Sequence, residues 1–124
     1  MNATEVTMHT TTGSTGLTVI AKAVAAAGIA LEEARRVPAV FRSLADQLIR
    51  AAASVPANLS EGHGRVGRDR PHHWRIAYGS AREADTFLRL LSHAAAINAE
   101  RAAEAIALFD EVRAMTWRLL HPRR

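Results

Sequence analysis

The sequence predicts an all-α protein, an antiparallel up-and-down bundle of four helices, and three observations carry that expectation. From residue 17 onward alanine, leucine, arginine and glutamate dominate, all strong helix formers. Apolar residues recur at three- and four-residue steps, the period of one helix face. Prolines act as punctuation: Pro38 and Pro71 stand at helix starts and Pro122 beyond a helix end, which leaves only Pro56 inside one.

Residues 1–16 are rich in Thr, Ser and Gly without period and read as a flexible tail. Residues 17–124 read as a single four-helix domain. In the first helix Leu17, Ile20, Ala21, Val24, Gly28 and Leu31 form the apolar stripe. The second begins at Pro38, presents Phe41, Leu44, Ala45, Leu48, Ala52, Val55 and Leu59, and ends at Gly62 and Gly64. Pro56 lacks an amide hydrogen and crowds the carbonyl of Ala52, so this helix should kink and continue to about Glu61. The third starts at Pro71, with Trp74, Ala77, Tyr78, Ala81, Ala84, Leu88, Leu91 and Ala95 as its stripe. Asn98 is a good cap for the fourth, which carries Ala102, Ala105, Phe109, Val112, Thr116 and Leu119. The connections are short, apart from a Gly/Arg-rich link between the second and third helices, so neighbours pack antiparallel.

Composition narrows the function classes. A chain of 124 residues suits one domain with a modest core. The absence of cysteine excludes disulfides and thiolate metal sites. No apolar run reaches the roughly 18 residues of a membrane span; "LTVIAKAVAAAGIAL" comes closest and is interrupted by Lys22. The N-terminal "MNATEVTMHTTTGSTG" lacks the basic start and apolar core of a secretory signal, so a cytoplasmic location is expected, with no membrane partner. Sixteen basic residues face twelve acidic ones, and fifteen of the sixteen are arginine, whose planar fork suits phosphate and carboxylate.

Two segments carry a recognisable pattern. "QLIRAAASVPANLSEGHGR" resembles a segment of the bacterial four-helix-bundle family named after the 23S rRNA intervening-sequence protein, whose usual form is close to Q-x-x-R-A-x-x-S-[IV]-P-x-N-[IL]-x-E-G-x-G-R. Gln47, Arg50, Ala51, Ser54, Val55, Pro56, Asn58, Leu59, Glu61, Gly62, Gly64 and Arg65 match it. Downstream, "WRIAYGSAREADTFL" is similar to a second signature through Ile76, Ala77, Gly79, Ser80 and Glu83. The chain departs from the pattern in a first helix without aromatics and in Ser60, where alanine is common. The resemblance implies a non-enzymatic, oligomeric bundle that binds RNA or DNA and needs no cofactor. For the accessory proteins of diversity-generating retroelements, it further implies ring-shaped pentamers that also bind a reverse transcriptase.

The residues themselves nominate two sites. Asn58 and Glu61, three apart on one helix face, and Gly79, Ser80 and Glu83 on the next helix are expected to meet as a polar network. Arg50 or Arg82 would compensate the carboxylates. Read as a catalytic acid/base pair, Glu61 and Glu83 lack a nucleophile, a metal triad or a phosphate loop to serve. His72 and His73 are adjacent and face different ways, so no metal site is expected. The run "GHGRVGRDRPHHWR" is the nucleic-acid candidate, with Arg65, Arg68, Arg70, His72 and Arg75 positioned for phosphates. Trp74 reads as a core or interface residue. A second basic group, Arg118, His121, Arg123 and Arg124, would lie near the first in an antiparallel bundle. The competing function is a protein-interaction module whose loop contacts a protein partner, and the bland alternative for the arginines is a solvated connection.

Overall fold

The computed structural model describes residues 12–65 and 69–123, which form four long helices. They are α1 (Thr12–Ala34), α2 (Arg42–His63), α3 (Asp69–His93) and α4 (Ala99–Leu120), with a 3-10 turn at Ala39–Phe41 before α2. No strand occurs among the described residues. Each helix packs on the next in sequence, and α1 also packs on α4, so four interfaces enclose one core and the molecule is a four-helix bundle. Phe109, Leu48, Leu59, Leu88 and Leu91 fill its centre and are fully buried. Alanines such as Ala23, Ala30, Ala52, Ala81 and Ala105 pack around them, and their small side chains let helix backbones approach closely.

Helix ends differ from expectation by a few residues, for local reasons. α1 reaches back to Thr12, within the expected tail, because Thr, Ser and Gly suit a helix start but carry no apolar marker; residues 1–11 lie outside the described residues. Pro38 is extended, at ψ 153°, and the chain enters α2 through the 3-10 turn, so regular helix begins at Arg42. α2 then continues through Pro56 to His63. α3 starts at Asp69, and Pro71 sits in its first turn, where amide hydrogens have no intrahelical acceptor. Ala95 does not extend the α3 stripe. It is exposed, with φ at 57°, in the left-handed position that ends the helix. The amides of Ala95 and Ala96 return to the carbonyls of Ser92 and Leu91, a Schellman turn with alanine where glycine is usual.

The largest correction concerns α1. Its buried residues are Val19, Ala23, Ala26, Ala27, Ile29, Ala30, Glu33 and Ala34. The expected stripe is instead largely outside, with Leu17 40%, Val24 56% and Leu31 38% exposed and Ala21 and Gly28 beside them. Only Ile20 of that stripe packs partly against the core. A helix apolar on both sides offers no charge contrast to choose a face, and the alanine side permits the closer approach to α2 and α4.

Two buried acids tie the helices together. Glu33 is only 3% exposed, accepts the amide hydrogen of Asn98 at 2.9 Å, and lies 3.6 Å from Arg36. Asn98 in turn accepts from the amide of Arg101, so the start of α4 is capped twice, by its own residue and by the end of α1. Asp85 accepts from Arg89 at 2.9 Å and faces Arg113 at 3.6 Å, joining α3 to α4.

Candidate nucleic-acid interface

Gly62 and Trp74 determine how the Gly/Arg link begins and ends. Gly62 is buried, and a Cβ built on it would stand 2.7 Å from both Cδ1 and Nε1 of Trp74. The glycine is therefore required for close packing: it lets the indole of α3 rest on the backbone of α2. Arg70 lies over that indole, 5.6 Å from its centre. Its Nε donates to the carbonyls of Arg65 at 2.9 Å and Gly62 at 3.3 Å, and Nη2 reaches the carbonyl of His63. The last carbonyls of a helix lack intrahelical donors and sit at its negative end, so a guanidinium is a fitting cap.

This geometry alters several assignments. Arg70 is turned inward as a structural cap rather than outward to phosphate. Arg65 is answered by Glu61 at 3.0 Å and Asp69 at 3.6 Å. Glu61 accordingly points to solvent and stands outside the expected interhelical network. His72 is exposed with its ring edge against His73, and Arg75 is exposed without an ion pair among the described residues. Arg68 and Arg124 lie outside the described residues.

A polar network does join α2 to α3, with partly different members. Asn58 Nδ2 donates to the carbonyl and hydroxyl oxygens of Ser54, both at 3.0 Å. Its Oδ1 is thus the acceptor facing His73 Nδ1 at 3.1 Å, which assigns the proton to that ring nitrogen. Ser80 donates to Ser54 Oγ at 2.8 Å. His73 takes the place expected of a carboxylate, and Ser54 is the hub. Arg50 and Glu83 are exposed, flank a shallow opening with Gln47, Ser54 and Ser80, and make no hydrogen bond or ion pair among the described residues. Charges that reach water have no need of a buried partner.

A concavity lies where the C-terminal half of α4 faces the first half of α3. It is an open cleft of about 840 Å³ lined by Tyr78, Asp110, Arg113, Ala114, Trp117, Arg118, His121 and Arg123. Asp110, Arg113, Trp117 and His121 follow at three- and four-residue steps, so they form one stripe along α4. Trp117 is half exposed. The His121 ring stacks on its indole at 4.1 Å and 24°, held by Nδ1 donating to the Trp117 carbonyl at 2.9 Å. Arg113 is committed to the protein, bonded to Asp110 at 2.8 Å and facing Asp85. Arg118 and Arg123 make no hydrogen bond or ion pair among the described residues.

Charge in the sequence points to Arg118 and Arg123 but not to Trp117, and helical spacing places Tyr78 in the core. The signal for Trp117 was present in its helical spacing from Arg113 and His121. Tyr78 could join them only through the packing of α3 on α4, which no local pattern reports.

No curated protein matches the chain. The family model for the 23S rRNA-intervening sequence protein matches residues 17–118, which takes in the four helices from Leu17 to Arg118 and leaves His121 and Arg123 beyond the matched segment. With the match spanning most of the sequence and the fold a four-helix bundle, this chain belongs to the 23S rRNA-intervening sequence protein family.

Proposed function

We propose that the protein is a non-enzymatic nucleic-acid-binding bundle, its helices running alternately up and down, and that it works as a homo-oligomer. The cleft between α3 and α4 carries the reading: two arginines without hydrogen bonds or ion pairs among the described residues, Arg118 and Arg123, border an exposed aromatic. Phosphate contacts supply most sequence-independent affinity for nucleic acid, and unpaired arginines are the donors for them. Arg75 lies one helical turn from Tyr78 and continues the cationic surface along α3. By resemblance to the retroelement accessory proteins, the bound RNA or DNA would be presented to a reverse transcriptase.

Self-association is supported by α1. Lys22 is the only charged residue between Leu17 and Leu31, and it bonds to Glu111 of α4. Leu17, Val24 and Leu31 repeat every seven residues, with the small Ala21 and Gly28 between them, the spacing of a helix–helix seam. A Cβ on Gly28 would meet nothing within 4 Å, so packing within the chain does not require that glycine. A stable interface covers about 800 Å² on each partner, more than one stripe supplies. Val40, 81% exposed in the 3-10 turn before α2, is a further large apolar side chain left uncovered within the chain.

An electrophoretic shift with a structured RNA tests the binding. The shift should weaken as salt rises and diminish in a variant carrying Arg118→Gln and Arg123→Gln. A salt-insensitive complex with a protein partner, and no shift with RNA or DNA, would favour the interaction-module reading instead. Light scattering tests the assembly: Val24→Glu should reduce the mass in solution to that of one chain.

A further inference from the structure

We infer that the α3–α4 cleft takes single-stranded nucleic acid, with an unpaired base stacked on Trp117 and the adjoining phosphates on Arg118 and Arg123. This rests on the nucleic-acid reading above and goes further by naming the form of the ligand and the residue that selects it. In a duplex the base faces are buried against one another and only edges and backbone are offered, whereas an unpaired base has a free face for an indole. Proteins that bind single strands combine cations along the backbone with aromatic platforms for the bases.

The cleft holds both elements. Trp117 is 50% exposed and lines the cleft, so the part of its indole that His121 does not cover is open to a base. It is also held in place: His121 stacks on the indole at 4.1 Å, and its ring is anchored to the Trp117 carbonyl, so the platform is oriented before a ligand arrives. Arg113 supports the wall but is neutralised by Asp110 and Asp85, which leaves Arg118 and Arg123 as the cations for phosphate. Tyr78 closes the cleft from α3. Trp74, the other tryptophan, is packed on Gly62 beneath Arg70 and serves the fold.

The experiment titrates the whole chain with fluorescein-labelled oligo(U), oligo(dT) and a mixed-sequence duplex, in the wild type and in Trp117→Ala and Trp117→Phe. Trp117 is exposed, so both variants should fold, which circular dichroism verifies. The single strands should bind more tightly than the duplex and quench tryptophan emission. Trp117→Ala should lower single-strand affinity by about fivefold to 150-fold, leave duplex binding and the salt slope unchanged, and be largely rescued by Trp117→Phe. Oligo(U) binding above oligo(dT) would identify RNA as the preferred strand, and equal binding would identify the shared base-and-phosphate chemistry; either supports the inference. Equal affinity for strand and duplex, unaffected by Trp117→Ala, would overturn base stacking and leave the nucleic-acid reading standing. No binding of any oligonucleotide at low salt would overturn both.

Discussion

Two regions of the bundle use similar charges in opposite ways. Where α1 ends and α4 begins, charges face one another: Glu33 receives the Asn98 amide, and Arg101 bonds to Glu104 at 2.9 Å and Glu32 at 3.3 Å. The hydrogen bond to Glu104 raises the Arg101 guanidinium above its ordinary pKa, so this arginine is held charged within the protein's own ion pairs. At the start of α3 Arg70 is spent on helix carbonyls, while Arg75 on α3 and Arg118 and Arg123 in the cleft remain without ion pairs among the described residues. An arginine-rich composition thus says little by itself. Whether an acid or carbonyl stands within reach decides whether an arginine stabilises the fold or is left for a ligand.

That contrast can be broken at several points. Gly62→Ala should have the largest effect on stability. Its new Cβ would collide with Trp74, so Trp74 and the Arg70 cap above it must shift, at about 2–3 kcal/mol in denaturant unfolding. Glu33→Ala should cost about 1–2 kcal/mol by leaving the Asn98 amide without its buried acceptor. It should leave nucleic-acid affinity unchanged, because neither Glu33 nor Asn98 lines the cleft. Ala95→Gly should raise stability by about 0.5–1 kcal/mol, since glycine adopts the left-handed conformation without crowding a Cβ. Smallest of all, Arg118→Gln combined with Arg123→Gln should alter stability by less than about 0.5 kcal/mol, because neither side chain makes a hydrogen bond or ion pair among the described residues.

The sequence was most legible where apolar residues contrast with charged ones. Leu48, Val55 and Leu59 on α2, Leu88 and Leu91 on α3, and Phe109 and Val112 on α4 lie inside as their spacing indicates. On α1 the contrast vanishes, and size alone favours Leu17, Val24 and Leu31 for the inward face that Val19, Ile29 and a row of alanines in fact occupy. The site divided along similar lines. Arg118 and Arg123 could be nominated from charge alone. The Arg70 cap is not legible, because its partners are backbone carbonyls brought near by the turn itself, which leave no mark in side-chain chemistry. Ser54 as network hub, His73 as its donor and Tyr78 as a cleft wall likewise depend on which helices face each other.

The role proposed for Arg118 and Arg123, beside Trp117, is to bind nucleic acid through phosphates. The salt dependence of single-strand affinity tests it most directly, measured side by side for the wild type and for the variant carrying Arg118→Gln and Arg123→Gln. The logarithm of the association constant should fall linearly with the logarithm of salt concentration. The variant should lose about 0.7 of slope for each phosphate contact removed, close to 1.4 in all, while its unfolding curve superimposes on that of the wild type. An unchanged slope in the folded variant would contradict the claim and remove Arg118 and Arg123 from the interface.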